Sequence, residues 1–155
     1  MENFTFHNPT KIIFGKKTIK QIGREISRNN HKKVLFIAGG GSIKTNGVYQ
    51  AVAESLEKHG LQWTEVWGVV PNPVLSKVNQ ARDRALEWGA DAILAVGGGS
   101  VIDTAKAAAA GVYLSNVWDA FTGKAFVEKA LPIYTVLTLS ATGSEMNGNS
   151  VITKE

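Results

Sequence analysis

The stretch from Ala90 to Ala110 reads ADAILAVGGGSVIDTAKAAAA, and its reading decides the fold. Ala92 to Val96 is a short apolar run, the length of a strand buried on both faces. Gly97, Gly98 and Gly99 follow without a break, and Ser100 then opens an alanine-rich stretch that reads as a helix. Strand, glycines and helix start are the parts of a phosphate cradle. The strand delivers the chain to the sheet edge, and glycines let the backbone approach an oxyanion without a Cβ in the way. The helix start adds unpaired N–H groups and a positive dipole end, worth about 1–2 kcal/mol before charge-assisted hydrogen bonds. The turn matches neither GxGxxG nor GxxxxGK[ST], so a tight strand-to-helix turn without a ligand is the bland alternative.

Outward from that stretch, the same solution recurs. Lys33 to Ala38 (KVLFIA) is another continuous apolar run, and it empties into Gly39-Gly40-Gly41-Ser42, 58 residues before the second glycine turn. Thr45 or Asn46 then caps a helix in which Val48, Val52 and Leu56 recur every four residues, with Gly60 as its terminator. Gln62 to Val70 reads as a strand with Trp63, Glu65 and Trp67 on one side and Thr64 and Val66 on the other. Pro71-Asn72-Pro73 forces an extended or turned backbone and leaves the Asn72 side chain free. A helix follows from Val74 to Trp88, with Val78, Ala81, Ala85 and Trp88 inward and Gly89 ending it. Upstream, Phe4 to Phe6 and Lys11 to Phe14, separated by Asn8-Pro9, read as a β-hairpin. A helix from about Thr18 to Ser27 follows, with Ile19, Ile22 and Ile26 on one face. Downstream, Asn116 to Phe121 reads as a short helix, Ile133 to Leu139 as a strand ending in Ser140-Ala141-Thr142-Gly143-Ser144-Glu145, and Ser150 to Thr153 as one more short strand.

Strands alternating with helices predict an α/β fold, doubly wound around a mainly parallel sheet, with a short N-terminal β-hairpin. Ligands of such sheets bind outside the carboxyl ends of the strands. Both GGGS turns, Asn72 and the loop from Thr138 to Ser144 follow strand ends, so four polar or glycine-rich loops converge on one edge.

Composition bounds the rest. With 155 residues, 44% apolar and 19% charged, the chain reads as one globular domain. No apolar run approaches the ~20 residues of a membrane span. The absence of cysteine excludes disulfides and thiolate metal sites and fits a soluble cytoplasmic protein. The 17 basic and 13 acidic residues are scattered, apart from His31-Lys32-Lys33, which gives no support to a nucleic-acid partner and suits an anionic cofactor.

The string GGGSVIDTAKA, Gly97 to Ala107, resembles the GGGSxxDxAKA signature of the iron-dependent (group III) alcohol dehydrogenases. FGxxxxxxIG (Phe14-Gly15 to Ile22-Gly23), PNP (Pro71 to Pro73) and ATGSE (Ala141 to Glu145) agree with it, so the resemblance covers essentially the whole chain. It is to the N-terminal cofactor domain of that family, with a dehydroquinate synthase-like fold. Within the family the chain looks closest to the NADPH-linked butanol dehydrogenase and broad-range aldehyde reductase branch. The resemblance implies that Gly98, Gly99 and Ser100 hold the pyrophosphate of a nicotinamide dinucleotide and that Asp103 lies near the nicotinamide ribose. It implies Thr138, Leu139 and Thr142 on the adenine and ribose side and Asn72 at the adenosine ribose. Usual members read TTAGTGSE where this chain has LTLSATGSE, so the positions of Leu139 and Ser140 depart from the pattern. Asp103 also has a local role open to it, closing an S-x-x-D capping box with Ser100. Lys106 reads as a solvated helix lysine.

The resemblance further implies an Fe²⁺ or Zn²⁺ held by an Asp and three His of a helical C-terminal domain that also lines the pocket for a small alcohol or aldehyde, and a homodimer. His7, His31 and His59 show no HxxxH or HExxH spacing, so residues 1–155 are expected to bind cofactor without turning over. Two alternatives stand beside this. One keeps the fold and changes the chemistry: dehydroquinate synthase or a glycerol or glycerol-1-phosphate dehydrogenase. The other is a stand-alone nucleotide-binding regulatory module.

The turn after the first long strand bears on which dinucleotide binds. An NAD site usually sets an acid against the adenosine ribose, and that carboxylate repels a 2′-phosphate. Here Gly39-Gly40-Gly41-Ser42-Ile43-Lys44 carries no acid, and none appears before Glu54. Gly40, Gly41 and Ser42 are therefore expected to frame the 2′-phosphate of NADP, with Lys44 at the rim.

Overall fold

The computed structural model describes residues 3–5 and 7–155. After a 3-10 turn at Thr18–Gln21, the elements are α1 (Ile22–Arg28), β1 (Lys33–Ala38), α2 (Ser42–Thr45), α3 (Val48–Lys58), β2 (Gln62–Val66) and α4 (Leu75–Trp88). Then come β3 (Ala92–Gly97), α5 (Gly99–Gly111), α6 (Trp118–Phe121), β4 (Ile133–Leu137) and a second 3-10 turn at Ser144–Met146.

The four strands form one parallel sheet in the order β2-β1-β3-β4. Side chains alternate across it as a period of two requires. Leu35, Ile37, Ile93 and Ala95 face α4 and α5, where Val78, Ala81, Ala85, Ile102 and Ala105 close the first core. Val34, Phe36, Ala38, Leu94 and Val96 face α1 and α3, against Ile26, Val52 and Leu56. Burial on both faces explains why β1 and β3 are continuous apolar runs, and each fully buried large side chain contributes about 1.5–3 kcal/mol. The glycine of the FGxxxxxxIG stretch has a packing reason. Gly23 lets α1 lie directly on α3, because a Cβ there would stand 2.0 Å from the Ser55 carbonyl oxygen.

Register positions the site. Ala38 pairs with Val96, and Gly97 pairs with Leu137, so the turns leaving β1, β3 and β4 emerge side by side. The chain runs from β1 outward to β2 and then crosses back to β3, which puts the reversal of strand order between β1 and β3. That crevice is where open parallel sheets hold ligands.

Several expectations need correction. The N-terminal hairpin does not form: residues 3–5 and 7–14 contain no strand, and Phe6 lies outside the described residues. Phe4 is 81% and Phe14 97% exposed, so the apolar residues of the segment bury little, and two strands alone are marginal in water. Instead Asn8 donates to the Met146 carbonyl and accepts from the Thr10 N–H in a local turn. β2 ends at Val66 rather than Val70, because the N–H groups of Gly68 and Val69 turn to the carbonyls of Gly39 and Ala38. The helix expected after Asn46 is split. α2 begins at Ser42, Gly47 adopts φ 81°, and Asn46 accepts from the N–H of Val48 at 3.1 Å to start α3. The strand expected at Ser150 to Thr153 is reduced to one bridge, between Val74 and Thr153.

Candidate functional site

At the end of β3 the chain turns at Gly98 (φ −89°, ψ −169°) and enters α5 directly. Gly98 is the N-cap, its carbonyl accepts from the N–H groups of Val101 and Ile102, and no side chain caps this end. The capping box between Ser100 and Asp103 is therefore not made. The first N–H groups of α5 are left for an outside acceptor, with the positive end of a thirteen-residue helix behind them.

Above them is a cleft of about 310 Å³ at the β1/β3 crevice. Gly39, Gly41 and Ser42 line it from the β1 turn, Gly97 and Gly98 from the β3 turn, and Thr138 and Leu139 from the end of β4. A Cβ at Gly98 would point into that space, with its nearest neighbour the Cβ of Leu139 at 3.7 Å. One at Gly99 would stand 3.7 Å from the Thr142 hydroxyl, so Leu139 and Thr142 stand over the helix start. Gly40 and Gly41 have open space where a side chain would be. Ser100 sits in the first turn of α5, half-buried, with its carbonyl taken by the Thr104 hydroxyl at 2.9 Å.

The cleft thus gathers Gly41, Ser42, Gly98, Thr138 and Leu139, whereas Gly40, Gly99, Ser100 and Thr142 are outside its lining. Asn72 does not join them: it is exposed with φ 55°, in the loop after β2 and outside the cleft lining. Lys44 is also outside the lining, because its ammonium stands over the Trp67 ring, 4.1 Å from the centroid. Asn46, which the sequence marks only as a helix cap, and Ile43, which it does not mark, also line the cleft.

Asp103 is turned away from the helix start. Its carboxylate accepts from the Ser144 hydroxyl at 2.6 Å and from the Val151 N–H at 3.1 Å, so it fastens the segment after β4 to α5. Lys106 is not solvated as expected. Its side chain is 13% exposed and donates to the Ser144 hydroxyl (2.8 Å), the Asn147 side-chain oxygen (3.2 Å) and the Asn149 carbonyl (2.6 Å). Burial pushes its ammonium below the ordinary lysine value, against the attraction of Asp103 and Glu145. The spacing of Asp103 and Lys106, one turn apart on α5, is the signal that could have revealed this network.

On the far side of the β1 turn, Glu65 of β2 accepts hydrogen bonds from the Tyr49 hydroxyl (2.7 Å), Trp63 Nε1 (3.0 Å) and Trp67 Nε1 (2.6 Å). Burial raises its carboxyl, but those three donors and the Lys44 charge prevail and hold it below its ordinary value. Among the described residues no group of three His, Cys, Asp or Glu is placed to hold a metal. The iron of an iron-dependent enzyme therefore does not fit on these residues. Among the described residues no helix is long and apolar enough to cross a membrane.

The geometry has solved counterparts. The crystal structure of NADH-dependent butanol dehydrogenase A from Thermotoga maritima superposes with a TM-score of 0.98 at 62% identity, over 99% of this chain and 39% of that one. A probable NADH-dependent butanol dehydrogenase 2 of Bacillus subtilis is 53% identical over 99% of this chain and 39% of its own length. The NADPH-dependent aldehyde reductase YqhD of Escherichia coli is 40% identical over 100% and 40%. The chain thus spans about two-fifths of the length of these relatives. These likenesses do not favour a dehydroquinate synthase, a glycerol dehydrogenase or a stand-alone module. The family model described as "Iron-containing alcohol dehydrogenase" matches residues 9–155, and the chain belongs to that family.

Proposed function

We propose that this chain is the cofactor-binding part of a cytoplasmic, homodimeric oxidoreductase that interconverts small alcohols and aldehydes with a nicotinamide dinucleotide. The observation that carries the reading is the open cleft at the β1/β3 crevice, where a Cβ at Gly98 would occupy the space over the uncapped start of α5. The bound dinucleotide supplies or accepts a hydride.

The chain's own residues bind and orient it. N–H groups of Gly99 and Ser100, at the N-terminus of α5, would hold the pyrophosphate, and Gly98 leaves it room to approach. Thr138, Leu139 and Thr142 would flank the adenosine side and exclude water from it. Asp103 acts as a positioning residue, since its carboxylate ties Ser144 and Val151 to α5. Asn72 would take part only through movement of its loop. The metal and the pocket for the alcohol belong in this reading to a helical C-terminal domain, and residues 1–155 alone do not turn over.

For the adenosine end the reading is preference for NADP(H), with Gly40, Gly41 and Ser42 around the 2′-phosphate. It is supported by the absence of an acid from Gly39 to Ala53 and by the open space at Gly40 and Gly41. The "NADH-dependent" in the names of two relatives favours a second reading, preference for NAD(H). Calorimetric titration with NADH and NADPH separates them. Tighter NADPH binding, reversed in G40D by the new carboxylate, supports the first; equal or tighter NADH binding refutes it, and no binding of either refutes the whole site.

A further inference from the structure

The group of side chains beside the β1 turn is more than packing. Among the described residues Glu65 meets three donors, all from aromatic side chains: Tyr49, Trp63 and Trp67. Tyr49 and Trp67 in turn face one cation. The Lys44 ammonium lies 4.1 Å from the Trp67 centroid and 5.8 Å from that of Tyr49. An indole or phenol that donates a hydrogen bond to a carboxylate is polarised toward its ring, which makes its face a better seat for a cation. Glu65 also attracts Lys44 through space. Phe36 braces the pair from below, with ring centroids 5.8 Å from Tyr49 and 5.7 Å from Trp67.

Lys44 is the only lysine or arginine from Gly39 to Gln50, the turn and the start of the helix after it. Two sets of groups compete for its charge. One is the Trp67 face with Glu65 behind it. The other is a dianionic 2′-phosphate at Gly40–Ser42, on the reading proposed above, on which this inference rests. We propose that Trp67 and Glu65 withdraw Lys44 from the cofactor turn and are thereby determinants of the choice between NAD(H) and NADP(H). Trp67 does not touch the cofactor in this arrangement. It acts by holding the lysine of the turn over its ring face. The glycine turn admits the 2′-phosphate, and the seated lysine keeps its attraction weak.

The test is a double-mutant cycle read as the ratio of NADPH to NADH affinity. Wild type, W67L, K44M and the W67L/K44M double variant are titrated with both dinucleotides. Leucine keeps apolar volume at position 67 and removes the ring face. W67L should raise the ratio about two- to five-fold, the strength of an exposed cation–π contact, and the double variant should return to the ratio of K44M. A merely structural Trp67 would weaken both dinucleotides alike and leave the ratio unmoved. If W67L does not fold, W67F keeps a ring with a weaker face and should give a smaller rise of the same sign. An unchanged ratio in the folded variant, or a rise that survives K44M, overturns the selector while leaving the cofactor site intact. Failure of wild type to bind either dinucleotide removes the site and the selector together.

Discussion

Gly97 and Gly98 are adjacent, and the structure gives them opposite tasks that alanine substitution separates. At Gly97 a Cβ would meet Val101 Cγ2 at 2.6 Å and Val101 Cβ at 3.0 Å, inside the packed face of α5. Overpacking of this kind costs about 1–3 kcal/mol. For a domain of this size each kcal/mol moves Tm by roughly 2–4 °C, so G97A should unfold several degrees below wild type. At Gly98 the nearest neighbour of a new Cβ is Leu139 Cβ at 3.7 Å, an ordinary contact, and φ −89°, ψ −169° is open to any residue. Alanine is a poorer N-cap than glycine, by about 0.5–1 kcal/mol, and it lowers unfolded-state entropy by a similar amount. The two effects offset, so G98A should unfold within about 3 °C of wild type. Ligand response is the discriminating measurement. At a hundred times its Kd a dinucleotide adds about 2.7 kcal/mol, which raises the wild-type Tm by roughly 5–10 °C. G98A should lose most of that rise, and G98V all of it. Thermal unfolding of wild type, G97A, G98A and G98V with and without NADH or NADPH reads both quantities. The reasoning fails if G98A unfolds well below wild type without ligand, which would make Gly98 a folding requirement. It fails equally if ligand raises the Tm of G98A as much as that of wild type.

Two further outcomes follow from the polar networks. Glu65 has a folded pKa below its unfolded value, so its contribution to stability is present above the ordinary carboxylate range and is lost as the pH falls through the folded value. E65Q, which sets an amide N–H among three donors, should cost about 1–3 kcal/mol at pH 7, and the deficit should narrow on acidification below the ordinary carboxylate range; a pH-independent deficit in urea titrations counts against the charge argument. K106M removes the donor shared by Ser144, Asn147 and Asn149, so amide hydrogen exchange should quicken at about residues 144–151 while the strand amides of β1 and β3 are unaffected. Uniform quickening would assign Lys106 to the core instead.

The sequence by itself determined the layers of the fold. Lys33 to Ala38 and Ala92 to Val96 could only be strands buried on both faces. The glycines after them and the helical periodicities between them then required a parallel sheet. Those are local signals, set by side-chain period and backbone freedom, and the structure carries them within a residue or two. Tertiary structure alone decided what each polar group does. Asp103 and Ser100 have the spacing of a capping box, yet Gly98 caps α5 and the Asp103 carboxylate answers donors 41 and 48 residues away in sequence. Lys106 sits where a solvated lysine is expected, and is buried because the segment after β4 folds over it. The residues at Phe4 and at Lys11 to Phe14 have strand propensity and no strand, because propensity without a partner buries nothing. Proximity along the chain puts Lys44 at the phosphate turn. Its actual seat is Trp67, 23 residues on, because the pairing of β1 with β2 brings Glu65 and its aromatic donors alongside. Hydrogen bonds and charges are satisfied by whatever is nearest in space, and a linear pattern does not encode which distant partner that is.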